Sequence, residues 1–183
     1  MSLARDEVIA AAVGILDEYG LADLSMRRLA DALGVKAGAL YWHVANKQTL
    51  LAAVADRVLA ELPTPQPDAE PRAALVAWAH DLRRVLLGHR DSADLVATAL
   101  ASGLCERDPL TGIVVLLARR ESGDTAAWGA RALLHLVLGH VAEEQNIALF
   151  AQLGKLDAPT VDQDAAFAHA VGALVDGLLP SAA

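Results

Sequence analysis

Residues 25–47 read SMRRLADALGVKAGALYWHVANK, and the order of small, apolar and charged side chains in this stretch decides the fold. Ser25 is a side-chain acceptor suited to capping a helix. Leu29 and Leu33 follow at helical spacing, so a short helix runs from Ser25 to about Leu33. Gly34 stops that helix, Val35 re-enters the core, and a second short helix carries Ala39, Leu40 and Tyr41 to about His43. Small Ala30 lets the two helices approach, while Leu40 and Val35 pin the second to the first. This is the spacing of a helix-turn-helix. On the C-terminal side Asn46 caps a longer helix over residues 46–62, with Leu50, Leu51, Val54, Val58 and Leu62 as its inward stripe. On the N-terminal side Val8, Ile9, Ala12, Val13 and Leu16 mark a first helix, with Asp6 and Glu7 at its positive end and Gly20 closing it.

Further out, residues 63–71 (PTPQPDAEP) hold four of the seven prolines, and each one bars helical backbone in the residue before it. The chain is therefore expected to divide into a helix-turn-helix domain over 1–47, a connecting helix over 46–62, a proline-rich hinge over 63–71 and a second domain over 72–183. Helical periodicity recurs in that second domain near 72–89, 92–103, 109–121, 125–153 and 164–179. No stretch alternates apolar and polar residues between turn signals, so the expected fold is all-α: a three-helix helix-turn-helix domain followed by a larger helical domain.

Composition narrows the function classes. Apolar residues make up 55% of the 183-residue chain against 21% charged and 4% aromatic, enough to bury a core and a ligand cavity in a helical protein. The apolar runs are too short to span a bilayer and MSLARDE lacks the apolar stretch of a signal peptide, so a cytoplasmic protein with no membrane partner is expected. Cys105 is the only cysteine, which excludes an intrachain disulfide and a CxxC site. The net charge of −8 argues against a non-specific DNA coat, yet residues 25–47 carry Arg27, Arg28, Lys36 and Lys47 against Asp31 alone. That local +3 leaves −11 on the other 160 residues. A small basic element on an acidic body is arranged to meet a polyanion with one surface.

Packing Leu40 inward leaves Lys36, Ala37, Gly38, Tyr41, Trp42 and His43 facing out, a group costly to expose unless a partner covers it. A helix fits the DNA major groove, where Arg27 can reach a guanine bidentately and Trp42 and His43 can pack on sugar or a thymine methyl. The Tyr41 hydroxyl and Lys47, just past the Asn46 cap, can grip phosphates. Arg28 is more simply accounted for by a neighbouring acid.

Residues 29–51, LADALGVKAGALYWHVANKQTLL, resemble the N-terminal DNA-binding domain of the TetR family of bacterial transcriptional regulators, and the YWHV wording resembles its tetracycline-repressor branch. The resemblance implies that Arg27, Ala37, Gly38, Tyr41, Trp42, His43 and Lys47 touch an operator. Gly38 stands where a proline is usual and Ala39 where a threonine is, so a different operator sequence is expected. The resemblance also implies a homodimer built from the two late helices, residues 125–153 and 164–179, with Ala130, Gly139, Ala170 and Gly172 permitting close approach. Residues 85–96, VLLGHRDSADLV, and 136–145, LVLGHVAEEQ, extend the likeness into the second domain. There it partly fails: Val96 replaces the branch's magnesium-binding histidine, Ala99 the hydroxyl nearby (with Thr98 adjacent), and Trp78 an asparagine, while Glu143 is kept. A small, largely hydrophobic effector, with no metal or other cofactor, is expected instead of a magnesium–tetracycline chelate. Its candidate contacts are Trp78, Val96, Thr98, Leu100, Cys105, Trp128, Leu136, His140 and Glu143.

The expected protein is a repressor released from DNA by its effector, not an enzyme. Two alternatives remain open at the level of sequence. His140, Glu143 and Glu144 share a helix face and could serve a metal-dependent enzyme, although HExxH, GxSxG, Walker and GxGxxG patterns are absent. The chain could also be a dimeric protein-interaction module that never touches DNA.

Overall fold

The structure, a computed structural model, describes residues 4–120, 123–155 and 161–179. In chain order its helices are α1 (Arg5–Tyr19), α2 (Met26–Leu33), α3 (Ala37–Leu40), α4 (Lys47–Leu59), α5 (Pro71–Leu87), α6 (Ser92–Ser102), α7 (Thr111–Leu117), α8 (Gly123–Gln152) and α9 (Gln163–Leu178). A 3-10 turn at Leu21–Asp23 joins α1 to α2, and no strand occurs among the described residues. The fold is all-α, as the periodicity requires. None of these helices is long and apolar enough to cross a membrane.

The chain forms two compact units, Met1–Glu61 with Leu86–Asp108, and Leu62–Val85 with Pro109–Ala183. In the first unit α2 packs on α1 and α3, α1 on α4, and α4 on α6. Leu16, Leu24, Leu29, Leu40 and Leu50 are fully buried there. The caps are those the sequence announces: Ser25 Oγ accepts the Arg28 N–H (3.2 Å) and Asn46 Oδ1 the Thr49 N–H (2.8 Å). Gly34 ends α2 in the left-handed region at φ 66°. Regular helix in α3 stops at Leu40, and the Leu40 carbonyl then accepts both the His43 and Val44 N–H groups (2.9 Å each), so Tyr41–His43 continue as a turn.

Sequence periodicity assigns residues 86–108 to the second domain, but they pack in the first unit. Three polar ties explain why. Asp91 Oδ2 accepts the Leu21 N–H (2.8 Å), the His89 ring meets the carboxylates of Asp17 (2.9 Å) and Glu61 (3.4 Å), and Asp56 accepts the N–H groups of Glu106 (3.0 Å) and Arg107 (2.9 Å). Segment 86–108 is thus fastened at both ends, with α6 lying on α4 between the ties.

In the second unit α8 packs on α7 and α9. A Cβ on Gly129 of α8 would meet Leu178 of α9 at 2.9 Å, so that position sets how closely the two helices approach. Phe167 is fully buried beneath a polar knot: Arg83 bonds both oxygens of Glu144 (2.7 and 2.8 Å) and Asp164 (2.7 Å), with its guanidinium 5.0 Å from the Phe167 ring centroid. The proline stretch is no free tether. A Cβ on Gly112 of α7 would meet Pro65 Cδ at 2.8 Å, and Arg119 donates to the Ala69 carbonyl (2.9 Å). Glu70 then caps α5 by accepting the N–H groups of Ala73 (2.7 Å) and Arg72 (3.0 Å), which hold its carboxyl below the usual range.

Gly20 adopts φ 86° and ψ 175°, backbone open essentially only to glycine, and a Cβ there would meet Asp91 Oδ2 at 2.5 Å. Gly20→Ala is expected to destabilise the protein by about 1–3 kcal/mol. Gly14→Ala, on an open face of α1, is expected to stabilise it by about 0.5–1 kcal/mol. Urea midpoints of the two variants check the pair; equal shifts would refute the Gly20–Asp91 key.

Candidate DNA-binding surface and effector site

The outward residues of the helix-turn-helix lie at the surface of the first unit. Trp42 is 90% exposed and Tyr41 54%, while Leu40 and Val44 on either side of that pair are buried. Arg27, Lys36, Ala37, Gly38 and Lys47 are exposed and His43 is half-buried. Trp42 has no share in the core, which leaves an indole in water for a partner to cover. Arg27 and Arg28 are adjacent but differently placed. Arg28 bonds Asp23 (2.7 Å) and stacks 4.4 Å from the Tyr19 ring centroid, so its charge is spent locally. Arg27, Lys36 and Lys47 enter no ion pair among the described residues. Three such cations, a tyrosine hydroxyl and an exposed indole on one helix-turn-helix suit a phosphate backbone with base edges between its strands.

The candidate effector residues divide between the units. In the first, Val96 is buried on α6, Thr98 is exposed, and Leu100 and Cys105 are half-buried. Burial, with Asp56 adding to it, pushes the Cys105 thiol up to about 11. In the second, Trp78 is buried on α5 and its indole N–H is the one buried side-chain polar atom among the described residues without a hydrogen-bond partner. Leu136 and His140 are half-buried on α8, whereas Trp128 is 68% exposed and Glu143 is exposed. His140 Nε2 lies 3.2 Å from the Gln163 carbonyl and its ring 5.0 Å from Phe167.

Two expectations about α8 need correction. The sequence groups His140, Glu143 and Glu144 on one face; His140 Nε2 does lie 3.5 Å from Glu144, but Glu144 is bound bidentately by Arg83 and Glu143 is exposed. Among the described residues no three His, Cys, Asp or Glu side chains gather as a metal site. Ala130 is buried within its own chain, so it has no surface for a second copy. The outward stripe of α8 is Thr125, Trp128, Ala132, His135, Gly139, Glu143, Asn146 and Phe150, all exposed at three-to-four spacing. Sequence reasoning missed this register, together with Arg83. The signal for Arg83 was an arginine set at helical spacing among the apolar positions Ala79, Leu82 and Leu86 of α5.

An exposed basic helix-turn-helix, braced by a connecting helix and carried with a second helical unit, defines a DNA-binding regulator. Residues 8–54 match the profile of the tetR family of bacterial regulatory proteins. Over 198 residues the chain is 33% identical to the tetracycline repressor protein class A from transposon 1721 of Escherichia coli, covering 96% of this chain and 90% of that one. Among solved structures it is similar to BioQ with its double-stranded DNA operator, at TM-score 0.83 and 36% identity over 97% of this chain and 99% of that one. It is also similar to a point variant of TetR from Acinetobacter baumannii AYE in complex with minocycline, at TM-score 0.80 and 34% identity over 98% and 99% of the two chains. The chain belongs to the tetR family and is a ligand-responsive, DNA-binding transcriptional regulator.

A raised thiol pKa means less thiolate at any given pH. Cys105 is expected to react with iodoacetamide more slowly than a free cysteine at pH 8, gaining about tenfold per pH unit until near 11. A rate that levels off near pH 8.5 would contradict the burial of this thiol.

Proposed function

We propose that the protein is a cytoplasmic repressor, without catalytic activity, that holds its operator as a homodimer and releases it on binding a small, largely apolar effector. The observation that carries this reading is the face bearing Arg27, Lys36, Tyr41, Trp42, His43 and Lys47, on which three cations enter no ion pair among the described residues and one indole is 90% exposed. In this reading residues 1–47 read DNA, 46–62 connect, 63–71 link, and 72–183 supply the dimer and most of the effector site. The exposed α8 stripe, with Trp128 and Phe150 near its ends and Gly139 between, supports pairing with a second copy, since two readers must enter successive grooves about 34 Å apart.

Segment 86–108 is the coupling element in this proposal. An effector touching Val96 or Leu100 shifts α6, and the ties through Asp91, His89 and Asp56 pass that shift to α1 and α4, which carry the reader. In the second unit Trp78 is a candidate contact in its own right, because its orphaned N–H costs free energy until an acceptor arrives. The residues do not fit a magnesium chelate: Val96 has no donor atom, and Thr98 and Glu143 are both exposed to solvent.

Lys47→Ala is expected to weaken binding to all duplexes alike, by roughly tenfold in dilute buffer, and to lower the salt dependence by about one phosphate per subunit. Arg27→Ala is expected to blur sequence preference as well. Fluorescence anisotropy across a salt series measures both, and variants indistinguishable from the parent would remove this face from the DNA contact. For the effector, Trp78→Phe keeps an aromatic six-membered ring and removes the N–H donor with the pyrrole portion. Effector release of DNA is expected to need about tenfold more ligand with operator affinity unchanged; an unaltered dose response would take Trp78 out of the site.

A further inference from the structure

His89 follows closely on the end of α5, and both of its ring nitrogens face carboxylates. Nδ1 lies 2.9 and 3.2 Å from the two oxygens of Asp17 on α1, and Nε2 lies 3.4 Å from Glu61 just past α4. A carboxylate can only accept, so each nitrogen must donate for its bond to form. Neutral imidazole has one N–H to give and imidazolium has two. Both bonds therefore exist together only when the ring carries its second proton. Only 13% of the His89 side chain is exposed, which leaves little room for water to stand in for a lost partner. The neighbouring charged groups are engaged elsewhere: Arg90 donates to the Glu18 carbonyl (3.3 Å), and Asp91 accepts the Leu21 N–H (2.8 Å).

We propose that His89 is a proton-operated latch within the first unit. With two ring protons it fastens segment 86–108 to α1 and to the end of α4 at once. With one, the ring keeps the shorter bond to Asp17 and turns a lone pair toward Glu61, which frees the far end of α4. The folded state gains from the doubly protonated ring and not from the neutral one, so this share of its stability is present at the acid end and is lost as pH rises. α4 begins at the Asn46 cap beside the reading turn, and its 13 residues carry the change about 20 Å to Lys47. Freeing its far end loosens the frame that holds Tyr41–His43 and Lys47, so DNA is held more tightly in mildly acidic than in alkaline solution. That effect on DNA rests on the reading that the first unit binds an operator, whereas the latch itself needs only the ring and its two carboxylates.

The test uses the full chain at one protein concentration and constant ionic strength, at about pH 5.5 and 9, which bracket the range in which imidazole changes charge. His89→Asn keeps an amide donor at the reach of Nδ1 and has nothing at that of Nε2. Urea midpoints of wild type, His89→Asn, Glu61→Gln and the double variant form a cycle. His89 and Glu61 are expected to be coupled by about fivefold in the unfolding equilibrium at the lower pH, the scale of a partly exposed ion pair, and not at the higher. The Glu61 side chain is 56% exposed, so Glu61→Gln folds whatever becomes of His89→Asn, and by itself it is expected to flatten the dependence of the midpoint on pH. Coupling of equal size at both pH values, no coupling at the lower one, or a Glu61→Gln midpoint that follows pH as the wild type does would each overturn the latch. Affinity for a duplex that the wild-type protein selects is then measured at the same two pH values. It is expected to fall several-fold further for wild type than for His89→Asn, since His43 on the DNA face contributes alike to both. Equal falls would overturn the link from latch to DNA. Failure of the wild-type protein to select any duplex would instead bring down the DNA-binding reading, with the urea cycle still deciding the latch.

Discussion

Leu40 has no contact with solvent, and Trp42, two residues on, is almost entirely in water. That contrast is the constraint on which the molecule turns. The core beneath α3, built from Leu16, Leu24, Leu29, Leu40, Val44 and Leu50, admits α3 in one orientation, because rotating the turn would drag Leu40 out and push an indole or an ammonium in. The hydrophobic effect acts on the inner side of the turn, and as a result the polar and aromatic groups are fixed on the outer side. A binding face is produced without any of its own residues having to stabilise the fold.

The same core gives the face its means of control. α4 begins at the Asn46 cap directly after the reading turn and runs beneath α6, and segment 86–108 is tied to α1, the Leu21–Asp23 turn and α4 through side-chain carboxylates and backbone N–H groups. These ties are short and directional, so they transmit displacement where apolar packing alone would let helices slide. Their cost is visible at Gly20 and Asp91. One needs a backbone conformation reserved for glycine, and the other sits at φ 52°, left-handed for a residue with a side chain.

Much of this was legible in the sequence because it is local. Caps such as Ser25 and Asn46 act within three residues, Gly34 acts on its own backbone, and an inward stripe needs only helical periodicity. What escaped depends on distant partners. Residues 86–108 look like part of the second domain by position, and only Asp17, Leu21, Asp56 and Glu61, far back in the chain, hold them in the first unit. Glu143 and Glu144 are one residue apart and chemically alike, yet Arg83, some sixty residues upstream, buries one and leaves the other to solvent. The DNA face was legible for a further reason: a partner of regular shape leaves a regular pattern, whereas an effector of unknown shape leaves only scattered apolar residues and one orphaned indole N–H.

Fluorine NMR of the full chain labelled with 5-fluorotryptophan tests the central claim most directly, since Trp42, Trp78 and Trp128 give three signals that single Trp→Phe variants assign. On saturation with a duplex that the protein itself selects, the Trp42 signal is predicted to shift and broaden strongly and to lose its paramagnetic relaxation by a dissolved nitroxide. A Trp42 signal unchanged in position, width and nitroxide response at saturation would mean that DNA is held elsewhere.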